Sequence, residues 1–169
     1  MALTSSRYGE FIEFATKTVA ERTKVGSRNT VEEKVGEVNA YHTAQGFCVV
    51  IVTDPAYQRM TAQAFLTKVA DAFKSNFTPT EINQKAPGTF TWPQIKLLRQ
   101  EATKAESSGI AAVQKELDET KVVLHKTIES VLERGEKLDS LVAKSDELSG
   151  QSKMFYKTAK QQNSCCVVM

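Results

Sequence analysis

The spacing of apolar residues changes its rhythm near residues 88–92. Upstream, Phe11, Phe14, Ala15, Thr18 and Val19 recur at steps of three and four, which predicts an amphipathic helix over 7–24 that Gly26-Ser27 stops. Residues 30–43 alternate loosely: Val31, Val35, Val38, Ala40 and His42 are separated by polar groups, the pattern of two short strands broken near Gly36. Residues 46–53 form one apolar, β-branched run between Gly46 and Asp54-Pro55, which predicts a strand buried on both faces. A second helix follows over 57–77, with Met60, Ala64, Phe65, Val69, Ala72, Phe73 and Phe77 as its inner stripe. Prolines 79, 87 and 93 and Gly88 make 78–93 a loop. The expected fold class is α+β, an antiparallel sheet with flanking helices over 1–92. Two weaker strands cannot cover both edges of the 46–53 strand, so one apolar edge is left bare.

Downstream, one pattern runs without a break. Alternating steps of three and four from Ile110 pass through Val113, Leu117, Thr120, Leu124, Thr127, Val131, Arg134, Leu138, Leu141, Ser145, Leu148, Ser152, Phe155, Ala159 and Gln162. Ile110, Val113, Leu117, Leu124, Val131, Leu138, Leu141, Leu148 and Phe155 are the large apolar members. Lys115, Glu116, Asp118, Glu119, Lys121, Glu133, Glu136, Lys137 and Asp139 line the flanks. A narrow stripe between charged flanks is a coiled-coil seam rather than the broad face of a globular helix. The helix would be on the order of 80 Å long and cannot bury its seam alone, so it needs partner helices. Gly135, Gly150 and Ser145, Ser149 and Ser152 weaken its intrinsic helicity, so order is expected only on partnering. The chain divides into a mixed domain over 1–92, a linker or short helix over 93–107, a coiled-coil motif over 108–162 and a tail over 163–169.

Composition narrows the function. Lys and Arg number 22 against 20 Asp and Glu, too even a balance for a nucleic-acid partner. The longest apolar run, Phe47–Val52, is far shorter than the roughly 20 residues of a membrane-spanning helix. No phosphate-binding loop, GxGxxG or HExxH occurs, Cys48 reads as a small core residue, and neither His42 nor His125 has a nucleophile partner. No enzyme activity, small-molecule substrate, metal or bound cofactor is expected.

Two features carry chemistry. Arg134 stands in the middle of the apolar seam. A buried guanidinium must be paired, and paired it sets register; the alternative is a tolerated defect whose stem reaches water. The terminus Cys166-Val-Val-Met169 is a C-a-a-X box of the farnesyl type, which requires a prenyltransferase. One lipid holds a membrane only marginally, and the neighbouring Cys165 can carry a second, with Lys153, Lys157 and Lys160 just upstream. The pair implies a chain that cycles between cytosol and membrane.

The stretch from Gln114 to Ser145 resembles the SNARE motif of the R-SNAREs, with Val131-Leu-Glu-Arg134 followed by Leu138 and Leu141 at its centre. The ending Ser164-Cys-Cys-Val-Val-Met169 is similar to the lipid-anchored longin R-SNAREs, which carry a Cys-Cys-a-a-X tail instead of a transmembrane helix. The resemblance implies a longin domain and a motif that joins three Q-SNARE helices in a parallel four-helix bundle that drives vesicle fusion. Arg134 would be the ionic-layer residue, Cys166 would be farnesylated, and Cys165 would carry palmitate or a second prenyl group. The chain would be cytoplasmic and cycle to the cytoplasmic face of Golgi, ER, endosomal or vacuolar membranes. Longin domains of this type fold back over the SNARE segment and shield the lipid, and Phe11 and Phe14 match the closing residues of the first helix. A longin sheet opens with a hairpin, whereas Met1-Ala-Leu-Thr-Ser-Ser6 leads straight into the helix. Two strands are therefore expected to be missing, one of them the neighbour of Phe47–Val52. The alternatives are a prenylated coiled-coil adaptor, a shortened regulatory SNARE that does not fuse membranes, and, most distantly, acyl transfer through Cys48.

Overall fold

The computed structural model describes residues 2–33, 36–86, 88–104 and 121–164. Helix α1 (Ala2–Arg22) leads into three strands, β1 (Arg28–Glu33), β2 (Gly36–His42) and β3 (Cys48–Thr53). Helices α2 (Arg59–Asn76), α3 (Pro79–Gln84) and α4 (Gln94–Lys104) follow. After residue 120 come strand β4 (Val122–His125), a 3₁₀ turn (Ile128–Val131), α5 (Leu138–Lys144) and α6 (Gly150–Ser164).

The sheet runs β3-β2-β1-β4. The first three strands pair antiparallel, in register Val31 opposite Val38 and Ala40 opposite Val50. β4 pairs parallel with β1, Arg28 opposite Val122 through Val31 opposite His125. The sheet is therefore mixed rather than purely antiparallel, because its fourth strand comes from the predicted coiled-coil region. As expected, β3 is an edge strand among the described residues. Its six residues are all half-buried rather than buried on both faces, since an edge strand loses cover on its open side.

Helix α1 lies on one face of the sheet. Phe14, Ala15 and Val19 form one core with Val31, Val38 and Ala40, as the apolar spacing of α1 predicts. The opposite face, under α2, is polar. Gln63 is buried and its side-chain amide donates to the Thr30 hydroxyl (3.1 Å) and to the Asn29 carbonyl (3.3 Å). Thr30 donates to Asn39 Oδ1 at 2.7 Å, and Asn39 donates to the Thr53 hydroxyl at 3.2 Å. Arg28 donates to the Gln63 carbonyl at 3.1 Å and stacks 3.7 Å above the Tyr41 ring. Buried polar groups persist only when paired. This layer explains why 30–43 reads as loose alternation: both faces are buried, but one is hydrogen-bonded instead of apolar.

The same layer corrects the stripe expected on α2. Thr61, Ala62, Gln63, Leu66, Val69 and Ala70 face the sheet, and only Val69 belongs to the predicted set. Small and hydrogen-bonding residues mark the packed face, while Phe73 and Phe77 join Phe47, Phe90 and Trp92 in an aromatic cluster with neighbouring centroids 4.6–6.1 Å apart. α3 falls inside the predicted loop. Pro79 is there a helix starter, and Thr78 and Glu81 complete a capping box in which the Thr78 N–H donates to the Glu81 carboxylate at 2.7 Å. Gly36 starts β2 at φ +133°, where a Cβ would meet the Thr53 carbonyl oxygen at 2.5 Å.

A second correction concerns the segment over 108–162, for which order is expected only once partner helices cover its seam. Residues 121–164 instead form a strand, a 3₁₀ turn and two helices that wrap the N-terminal domain. Without partner helices, the apolar side chains of the seam are covered by α1 and the sheet of the same chain. The chain turns at Gly135 (φ +94°) and starts α6 at Gly150, the two residues of least helical preference.

Candidate functional site

The candidate site is the interface where residues 121–164 lie against α1 and the sheet. β4 adds the segment to the sheet edge through backbone pairing. The 3₁₀ turn then docks, with the Ile128 N–H donating to the Glu33 carboxylate at 2.9 Å. Beyond the turn, α5 and α6 pass along α1.

Apolar burial makes the centre. Ile128, Val131, Leu138, Val142 and Leu148 are all buried in one cluster with Phe14, Ala15, Val19 and Val31. Phe11, Leu132, Leu141 and Tyr156 pack against that cluster half-buried. Phe11 and Phe14 are 6.4 Å apart by ring centroid. Beside them a small cavity of about 140 Å³ opens between α1 and α5, lined by Phe14, Thr18 and Leu141 and by the charged Lys17, Lys144 and Glu147.

Charge makes the rim. Arg22 forks onto Glu136: Nε donates to Oε2 at 2.9 Å and Nη2 to Oε1 at 2.8 Å. The same carboxylate accepts the Glu133 N–H at 2.8 Å. The Arg22 hydrogen bonds first, then the Glu133 amide, hold the Glu136 carboxyl down at about 2. Lys17 pairs with Glu147, which also accepts from the Ser145 hydroxyl at 2.7 Å. Lys17 first, then Ser145, brings the Glu147 carboxyl to about 2. The Glu10 carboxylate accepts the Ser149 N–H at 3.0 Å, just before α6.

The predicted seam residues divide. Val131, Leu138 and Leu148 are buried against the N-terminal domain, and Leu141 is half-buried. Leu124 is 48% exposed on β4 and Phe155 is 62% exposed on α6. Arg134 is exposed at the turn before Gly135. Ile110, Val113, Leu117, Cys165 and Cys166 lie outside the described residues. Phe11 and Phe14 meet the folded-back segment. Cys48 lies on β3, half-buried, and burial pushes its thiol up to about 11, far from a nucleophile's range. Among the described residues, no group of His, Cys, Asp or Glu is placed to hold a metal ion.

Sequence reasoning missed Ile128, Val142 and the charged rim. A signal existed for the first two. Each follows a seam position directly, and they are fourteen residues apart, two full heptads, so both fall at the same heptad position beside the seam. Lys17 and Arg22 on α1, and Glu136 and Glu147 on the coiled-coil flank, carried no such signal, because charged residues on the polar side of a helix read as a solvated face.

Residues 2–96 match the family model described as a regulated-SNARE-like domain, the longin domain, and residues 109–167 match the synaptobrevin model. The chain is similar to the synaptobrevin homolog ykt6 of Schizosaccharomyces pombe, 47% identical over 164 residues that cover 96% of this chain and 83% of the relative. It is 43% identical to the synaptobrevin homolog YKT6 of Saccharomyces cerevisiae over 168 residues, covering 97% and 84%. The VAMP-like protein YKT61 of Arabidopsis thaliana is 42% identical over 161 residues, covering 95% and 80%.

Proposed function

This chain belongs to the Ykt6-type longin R-SNAREs, with an R-SNARE role in vesicle fusion, and from that premise we propose that it alternates between two uses of one seam. In the folded-back form, Val131, Leu138 and Leu148 are covered by α1 and the sheet. In the assembled form, the same residues face three Q-SNARE helices in a parallel bundle, and Arg134 meets polar acceptors at the central layer. The two forms exclude each other because a side chain buries only one way at a time. The family is not enzymatic and acts by assembly.

The observation that carries this reading is the burial of predicted seam residues in the same cluster as Phe14. The exposure of Arg134 fits it too: a central cation has no acceptors to offer it in the apolar interior of the longin domain, and it stays in water until a bundle supplies them. No helix among the described residues is long and apolar enough to cross a membrane. Attachment would come instead from lipids: a prenyltransferase would farnesylate Cys166, and Cys165 would take palmitate or a second prenyl group. The chain would then cycle from cytosol to the cytoplasmic face of Golgi, ER, endosomal or vacuolar membranes.

The test mixes the unlipidated full chain with three Q-SNARE motifs and follows helix content and melting. A slow gain of helix ending in a hot, cooperative melt is expected, faster in a Phe14→Glu variant. If the full chain gains no helix and residues 108–162 alone also fail, the bundle assignment is wrong.

A further inference from the structure

The two acidic residues of the charged rim occupy revealing places in the heptad. With Val131 at position a and Arg134 at d, Glu136 falls at f and Glu147 at c. Those positions point away from a four-helix core. In the assembled bundle both carboxylates would face water and contribute little. In the folded-back form they are the acceptors of Arg22 and Lys17. Arg22 is the less exposed partner, held in a bidentate fork that a Lys could not reproduce. The apolar seam residues do not make this distinction, since Val131, Leu138 and Leu148 serve either form.

We propose that Arg22–Glu136, supported by Lys17–Glu147, is a latch specific to the folded-back form: these charges determine the balance between closure and assembly without contributing to the bundle. The proposal rests on the two-state reading above and adds residues that select one state. Two features strengthen it. The latch flanks the central layer, with Glu136 two residues from Arg134 on the same turn, so opening there releases the segment on both sides of the central cation. The pairs are also partly open to solvent, so salt screens them, whereas the apolar contacts are not weakened in that way.

The experiment uses the unlipidated full chain with Arg22→Glu, Glu136→Arg and the double swap, mixed with three Q-SNARE motifs. Each single reversal replaces attraction by repulsion and should speed assembly roughly fivefold, with the double swap returning to within about twofold of the native rate. The native rate should rise with ionic strength, and the single reversals should respond less. Melting of the finished bundle should be the same for all four proteins. A Phe14→Glu variant separates the two readings. If it assembles faster while Glu136→Arg does not, the segment folds back but the latch is refuted. If neither variant assembles faster, closure itself is not the barrier and both readings fall. A bundle weakened by Glu136→Arg would place Glu136 in the assembled form and overturn the proposal.

Discussion

Ile128 offers the cleanest separation of the two forms. It is 2% exposed in the cluster with Phe14, yet it sits beside the seam rather than in it. Ile128→Ala removes three carbons from the folded-back interface and leaves every a and d residue in place. Burial this complete puts the cost in the usual range for such truncations, about 2–5 kcal/mol. The site lies in a single turn between β4 and the following loop, where neighbours can close in, so the lower end applies, about 2 kcal/mol. That is roughly a thirtyfold shift toward the open form. If opening limits assembly, the rate with three Q-SNARE motifs rises by up to the same factor. Stopped-flow fluorescence between a labelled Ile128→Ala chain and a labelled partner reads the rate, and hydrogen exchange of the β4 amides reads the opening directly. An unchanged assembly rate together with accelerated β4 exchange would show that closure exists but is not rate-limiting, refuting the kinetic argument. Unchanged exchange would show that Ile128 does not hold the segment.

Four further outcomes follow from the geometry. Because Glu136 titrates at about 2 when folded back and near the ordinary carboxylate value when released, its contribution to closure is complete above about pH 5 and is lost as pH falls from there toward 2; energy transfer between labels on α1 and α5 should drop over that window and not between pH 6 and 8. Gln63→Leu leaves Thr30 and Asn39 short of a partner inside the sheet, and should destabilise the chain by about 1–3 kcal/mol in urea unfolding. Arg134 is exposed in the folded-back form, so Arg134→Leu should leave β4 exchange unchanged while loosening register and partner choice in the bundle, measured by competition between Q-SNARE sets. Cys48, with its thiol raised to about 11 by burial, should react with maleimide at neutral pH far more slowly than an exposed thiol, and equal rates in native and urea-unfolded protein would contradict that.

Much of this protein is determined locally. The helix periodicity of Phe11 to Val19, the break at Gly36 and the seam from Ile110 onward are set by side-chain spacing, and spacing is a property of the chain alone. The strands β1 and β2 and the face of α1 accordingly emerge where the pattern puts them. The C-a-a-X tail and the central Arg134 are likewise chemical statements that need no neighbours to be read. What tertiary structure decided is which surface each pattern meets. Gln63, Thr30 and Asn39 read as polar positions, yet they are buried, because hydrogen bonds across the sheet replace the water they lose. Residues 122–125 carry coiled-coil spacing, yet they form a strand, because the open edge of β1 offers backbone partners that a lone helix seam lacks. Glu136 and Glu147 look like solvated flanks until Arg22 and Lys17, more than a hundred residues away in sequence, are brought against them. A heptad specifies that apolar side chains must be covered. Which partner covers them depends on what the rest of the fold, or another chain, presents.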